Sequence, residues 1–451
     1  MGAPIRPLIS KELRELAAGR AFWVLLILLS LLVGTSFEQA VSLYGEASRA
    51  AAEVPQLAHG LSPFDGVLVP TFGALYLAAT FLFPFVVIRT LGAEKQSGAS
   101  MLMLQMPYTP SAMMGAKLAA MLVAWLAMAL IPLSALLIWR LIGGHLAVGE
   151  TTNLLLGHFL YAVVIAGIAL LCAALTESSA TAAILALAVT LGFWVLDFAA
   201  VGNGGALKTL AAFSLTGVLR GFERGVLSTA AVLTSLATAA GLVIIAGAWL
   251  HTGRRLTTKL LVAAIVVAGI GLTAFAASTS RATFDTTEDA RNSFSPSDTA
   301  GLRQLTQPLT LIVRLAPEDP RLVDFERGVL GKLRRTVPRL SVAIASEGRS
   351  GLFESSDERY GEIVLRYGGR EQTTRSTATG EVLPLIFELA GVSPPLLPTA
   401  AAYPGYPLVA DASLARGWFF VVLPLLIAAG WLLASGRHTD WRKSWNKTLS
   451  R

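Results

Sequence analysis

Residues 259–278 read KLLVAAIVVAGIGLTAFAAS, an uncharged run behind one lysine, and 32 of the 137 residues that follow, 279–415, are charged. An α-helix over this run, at 1.5 Å per residue, is about 30 Å long, the thickness of a bilayer's hydrocarbon core. A second apolar run at 417–435 closes the charged stretch, which therefore hangs between two anchors. Upstream, comparable runs recur at 21–37, 67–88, 118–139, 154–175, 180–201 and 228–250. The reading is a polytopic α-helical membrane protein of eight spans, with an extracytoplasmic α/β sandwich domain inserted between the last two.

The whole chain agrees with this division. Of its 451 residues 54% are hydrophobic and 14% charged, where a soluble domain has nearly twice as many charges. Its single cysteine excludes an intramolecular disulfide framework and a thiolate metal cluster. The net charge of +7 would suit a nucleic-acid binder if it lay in the polar part. Residues 279–415, however, hold 15 Lys and Arg against 17 Asp and Glu, so the excess belongs to the membrane part and no nucleic acid is expected as a partner.

Lysine and arginine resist translocation, so their distribution over the short loops orients the spans. With the N-terminus inside, fifteen Lys and Arg lie in inner loops and tails, and five in outer ones. This places both termini and the basic tail 436–451 in the cytoplasm and 279–415 outside; the group from Lys208 to Arg224 runs against the rule. The positive inner face suits anionic membrane lipids. Residues 1–20 are expected to form a cytoplasmic interfacial helix, with Ile5, Ile9, Leu13 and Leu16 on one face and Lys11, Glu12, Arg14 and Glu15 elsewhere.

Familiar catalytic motifs are missing from the sequence. Its one Gly-Lys pair, Gly331-Lys332, lacks the upstream glycine of a phosphate loop, and neither H-E-x-x-H nor G-x-S-x-G occurs. The five histidines are scattered. No catalytic residue, metal site or cofactor site is expected in this chain, which is read as not an enzyme.

The informative loop is 89–117, RTLGAEKQSGASMLMLQMPYTPSAMMGAK. A charged start at Glu94 and Lys95 meets Gly98; a short helix carries Met101, Leu102 and Leu104; Pro107 stops it; Ser111 can cap the next helix. Such a short, partly apolar projection suits a gripping partner, and it equally suits an ordinary loop helix with interfacial methionines.

This loop resembles the signature of ABC-2-type permeases, carried here by Glu94, Gly98, Pro107 and Lys117, with Lys95 where that family often has Glu or Arg. LISKELRELAAGRAF at 8–22 is similar to the family's interfacial elbow helix, marked by Lys11, Glu12 and Arg20. FSLTGVLRGFERGVLST at 213–229 is similar to its short outer re-entrant helices, which would account for Arg220 and Arg224. Residues 282–315 resemble the start of a gliding-motility-type auxiliary domain, through Asp285, Thr287, Ser293, Ser295, Thr299, Leu302, Leu305 and Pro308; here it is truncated and fused behind the permease.

The resemblance implies a six-span permease domain over 21–255 with a coupling helix within 91–114, and a seventh span at 256–278. A periplasmic α/β domain at 279–415, an eighth span at 416–435 and the tail complete the chain. It implies ATPase coupling through Glu94, Lys95, Gly98, Met101, Leu102 and Pro107. The partners would be two copies of a separate ATP-binding subunit, which hold the ATP and Mg, and a second permease subunit, as a homodimer. A periplasmic or envelope protein is a further partner. The site would be the bacterial inner membrane.

Within 279–415 the residues alone give β-α-β over 309–315, 321–337 and 340–345, a hairpin over 361–367 and 370–377 turning at Gly368-Gly369, and a helix over 381–390. The charges Asp324, Glu326, Arg327, Lys332, Arg334 and Arg335 read as a solvated helix face. The proline-rich 393–407 reads as a tether, with Tyr403 and Tyr406 at the membrane interface.

Asp197, the one carboxylate placed inside a span, reads two ways: a polar mark on a substrate route, or an outer-leaflet residue reaching water or Lys208. Two functions follow. One is the permease subunit of an ATP-driven exporter; the other is a mechanotransmission or scaffold subunit that relays ATP-driven motion to an envelope partner without transporting anything.

Overall fold

The computed structural model describes residues 5–200, 214–279, 282–316, 319–344, 359–392 and 403–435. Lys208, residues 393–402 of the expected tether and the basic tail 436–451 lie outside the described residues. In chain order the main helices are α1 (Arg6–Ala18), α2 (Arg20–Glu53), α3 (Phe64–Gln96), α4 (Ala99–Leu104), α5 (Pro110–Leu141), α6 (Val148–Leu175) and α7 (Ser179–Ala200). There follow α8 (Leu215–Glu223), α9 (Thr229–Leu250), α10 (Leu256–Thr279), α11 (Pro296–Arg303), α12 (320–336), α13 (Thr379–Ala390) and α14 (Ser413–Ser435). Among the described residues eight helices, α2, α3, α5, α6, α7, α9, α10 and α14, are long and apolar enough to cross a membrane.

These helices outrun the apolar segments read from sequence. The α2 helix has 34 residues, about 51 Å at 1.5 Å each, because the Ala- and Glu-rich stretch after 37 continues it well past the apolar run. The chain forms two compact units, Met1–Phe193 with Thr229–Ser280 and Pro404–Arg451, and Trp194–Ser228 with Arg281–Tyr403. The second differs in extent from the segment 279–415 that the charge distribution outlines. It takes in 194–228, where β1 (Val226–Ser228) pairs antiparallel with β2 (Thr283–Asp285), and it ends at Tyr403.

In the first unit α6 is the central helix: 78% of its apolar window is buried, against 6% for α10. Its small residues explain the difference, since Gly167 admits Leu242 of α9 and a run of alanines lines the same packing. The α10 helix instead leaves Leu261, Ile265, Leu272 and Phe275 exposed, the surface a lipid-facing helix presents. Polar contacts tie α14 to the bundle. Ser30 donates to the Phe419 carbonyl at 2.8 Å, at a π-helical turn, and the Trp418 indole donates to Ser134 at 2.9 Å. Such bonds matter most where no water can substitute.

The second unit contains a four-stranded mixed sheet in the order β4-β3-β5-β6, with β3 (Leu309–Val313) parallel to β4 (Leu340–Ile344). Strands β5 (Ile363–Tyr367) and β6 (Arg370–Thr374) continue it antiparallel. The β3-α12-β4 crossover, the hairpin and the final helix all fall where the apolar periodicity predicts them. Gly368 and Gly369 have φ of 58° and 78°, which a two-residue hairpin turn requires. Leu309, Leu311, Val313, Ile363 and Leu365 project from one sheet face onto Phe325, Val329 and Leu333 of α12 and Ile386 and Phe387 of α13. The opposite edge strand β6 carries Arg, Glu, Gln and Thr, which discourage edge-to-edge pairing.

The helical charges of α12 do not form a uniform solvated face. Arg334 and Glu326 are exposed, 3.7 Å apart, but Lys332 lies over the Phe294 ring and Arg335 turns inward to donate to the Asn292 carbonyl. The segment 213–229 also departs from a wholly helical reading: α8 stops at Glu223, and 226–228 are extended because they pair with β2.

Candidate functional site

Three helices of the first unit bring their charges together at one place. On α1 the buried stripe is Leu8, Glu12 and Leu16, spaced four apart, so the face turned to the protein includes a carboxylate. This corrects the expectation that Glu12 belongs to the polar face of an interfacial helix. The isoleucine and leucine face, Ile5, Ile9 and Leu13, remains exposed or half-buried.

The reason is Lys117 of α5. Its ammonium, itself fully buried, sits 2.9 and 3.0 Å from the two oxygens of Glu12 and 2.9 Å from Glu94 of α3. Lys11 completes the cluster, bonding Glu94 and approaching Glu12 at 3.2 Å and Glu15 at 3.3 Å. Three carboxylates and two ammonium groups thus share one site. Burial opposes the charge on Lys11, but its bond to Glu94 and the carboxylates of Glu12, Glu94 and Glu15 outweigh that and hold its pKa above the ordinary lysine value. Burial also raises the Glu15 carboxyl, against the pull of Lys11. Glu12, Glu15 and Glu94 lie close enough to hold a metal ion. The two lysines already occupy that position electrostatically, so the cluster reads as an ionic joint between helices.

Glu94 is therefore buried in this joint, whereas its neighbour Lys95 faces α6. The Lys95 ammonium donates to the carbonyls of Ala173, Ala174 and Thr176 at 2.6, 3.0 and 2.7 Å. These are carbonyls at the C-terminal end of α6, where a cation satisfies orphan acceptors and complements the helix dipole. A lysine at this place in the loop has a structural task that spacing alone did not reveal.

The chain then turns through Gly98 at φ 75° into α4. On this single and a half turns Met103 faces inward, its sulfur 3.6 Å from the Lys11 ammonium, while Met101 and Leu102 are 61% and 64% exposed. Pro107 is exposed beyond it. The next helix is capped by Thr109, whose hydroxyl accepts from the Ala112 N–H at 3.2 Å, and not by Ser111. Pro110 explains the shift, because its fixed φ suits the first helical position directly after a cap.

Asp197 lies in the second unit, half-buried, and accepts a hydrogen bond from Thr216, which also bonds Ser214 at 2.8 Å. Its described partner is thus a hydroxyl. His158 shows that one histidine sits deep in a helix bundle, buried against Phe72 at 5.3 Å between ring centroids. His145 stacks on Tyr406 at 3.6 Å. Sequence reading marked Lys11, Glu12 and Lys117 as separate features; the pattern that could have joined them is the presence of opposite charges within otherwise apolar helical surroundings.

Neither the protein-family models, nor the curated proteins, nor the solved structures contain a significant match to this chain.

Proposed function

We propose that this chain is the membrane permease subunit of an ATP-driven transporter of the ABC-2 type, working as an exporter in the bacterial inner membrane. The observation that supports this reading best is the pairing of an exposed apolar helix with a rigid root. Met101 and Leu102 of α4 face outward, while Glu94 and Lys95 immediately before them are fixed to α1, α5 and α6. A force applied to α4 by a docked ATPase subunit would pass to those three helices with little lost in side-chain rearrangement.

In this proposal two copies of an ATP-binding subunit, carrying the nucleotide and Mg, grip α4 from the cytoplasm, and a second permease chain completes the pore. Both termini face the cytoplasm and the α/β domain stands outside. The test is co-expression with the ABC-type ATPase encoded nearest to this chain. Met101→Asp with Leu102→Asp is expected to abolish co-purification and stimulated ATP hydrolysis, with insertion unchanged. Full retention of both would overturn the reading. Stimulation of the intact complex by a protein partner alone, and by no lipid, glycan or peptide, would favour the relay of motion over transport.

A further inference from the structure

A polar pocket of about 170 Å³ lies wholly inside the second unit, between β2, the loop after it, α11 and the end of α12. Its lining is unusual in its balance of donors and acceptors. Arg303 and Arg335 both face it, and among the described residues neither has a carboxylate within ion-pair distance. The Arg303 side chain is exposed and makes no hydrogen bond to any described residue; Arg335 is half-buried and spends one N–H on the Asn292 carbonyl. The hydroxyls of Ser293 and Thr283 line the same pocket and have no described partner either.

Asp285 is the one carboxylate in the lining, and both its oxygens are engaged within its own loop. One oxygen accepts from the Thr287 N–H at 3.1 Å, the Thr287 hydroxyl at 2.6 Å and the Asn292 side-chain amide at 3.3 Å; the other accepts from the Asn292 N–H at 2.9 Å. Those bonds hold the 285–292 loop in shape and leave the arginine donors unanswered. Burial lowers the proton affinity of Arg335, with Asp285 opposing, yet a guanidinium stays charged throughout the physiological range. Asp285 offsets the burial of this half-buried cation only in part, being beyond ion-pair distance and bonded within its own loop, and an incoming anion relieves the remaining desolvation cost.

We propose that this pocket binds a phosphate group. Two guanidinium forks and two hydroxyls offer more donors than a carboxylate can accept, and they match the several terminal oxygens of a phosphate. The volume admits a phosphate group with room beside it, and exposed Arg303 marks the side on which the rest of a larger ligand would extend. Two sources supply such a group, a phospholipid headgroup and free phosphate. The pocket stands on its own residues and needs no assumption about what the membrane unit moves.

The experiment uses the full-length chain purified in detergent and isothermal titration with three probes: inorganic phosphate, dihexanoyl phosphatidic acid and acetate. Saturable binding of at least one phosphate probe, with acetate at least about tenfold weaker, is the expected result. Arg303→Gln is expected to weaken phosphate binding about tenfold while leaving the circular dichroism unchanged, since its exposed side chain makes no hydrogen bond or ion pair to any described residue. Arg335→Gln is the second variant, expected to do the same. Tighter binding of the phosphatidic acid assigns the site to a headgroup; tighter binding of inorganic phosphate assigns it to the free ion. No saturable phosphate binding, equal affinity for acetate, or unchanged affinity in both variants would overturn the proposal.

Discussion

Lys117 and Glu12 are 105 residues apart in sequence, yet the buried lysine meets both oxygens of the buried glutamate at 2.9 and 3.0 Å. Removing one member of a buried pair strands the other charge, which typically costs about 3–5 kcal/mol. Lys117→Met is therefore expected to lower the thermal midpoint of the detergent-solubilised protein substantially. Glu12→Leu combined with Lys117→Met should recover part of that loss, because the stranded carboxylate goes with its partner. A double variant no more stable than Lys117→Met would show that the two side chains do not interact.

Lys95 supplies three hydrogen bonds to the last carbonyls of α6. Its replacement by methionine keeps the stem and removes the charge, leaving those acceptors to water. A loss of about 2 kcal/mol is expected, the usual scale for charge-assisted bonds. Hydrogen exchange should speed up selectively near 172–176, and unchanged protection there would contradict the capping role.

Gly405 has φ 69°, and a Cβ at this position would come within 1.7 Å of the Ala58 carbonyl oxygen. Backbone cannot retreat as a flexible side chain does, so Gly405→Ala must displace the segment. That segment carries Tyr406, stacked on His145 and bonded through its carbonyl to the Tyr44 hydroxyl at 2.7 Å. The variant is expected to be destabilised by about 1–3 kcal/mol, read as a lowered melting temperature; an unaffected midpoint would mean the close approach is not maintained.

Asp319 is held down to about 2, first by the hydrogen bond from the Arg321 side chain, with the Arg321 N–H and the Tyr360 hydroxyl adding to it. A carboxyl whose folded pKa is depressed contributes stability above its unfolded value, near 3.8, and that contribution disappears as pH falls through about 2. Asp319→Asn should therefore be less stable than the natural chain at pH 7, and the two should converge toward pH 2. Parallel melting curves across that range would rule out the linkage.

Much of this architecture was legible in the sequence for simple reasons. Apolar runs of bilayer length need no partner to declare themselves, and all eight candidate spans fall on them. The β3-α12-β4 unit and the Gly368-Gly369 hairpin were equally readable, since periodicity and positive φ are local properties. Ser111 was the natural cap by residue type, but Pro110 moved the helix start and gave the role to Thr109.

Charge placement was another matter. Composition fixed that 259–278 and its seven counterparts are apolar helices and that 279–415 is polar, because hydration free energy depends on each residue's own surface. Only tertiary structure decided that Glu12, Glu94 and Lys117 are buried together and that Lys95 closes a different helix, because a buried charge is tolerable solely beside its opposite. Which opposite lies within 3 Å is set by packing between distant segments. The same holds for Arg335, which shares a helix with solvated neighbours and is drawn inward by the loop beneath it.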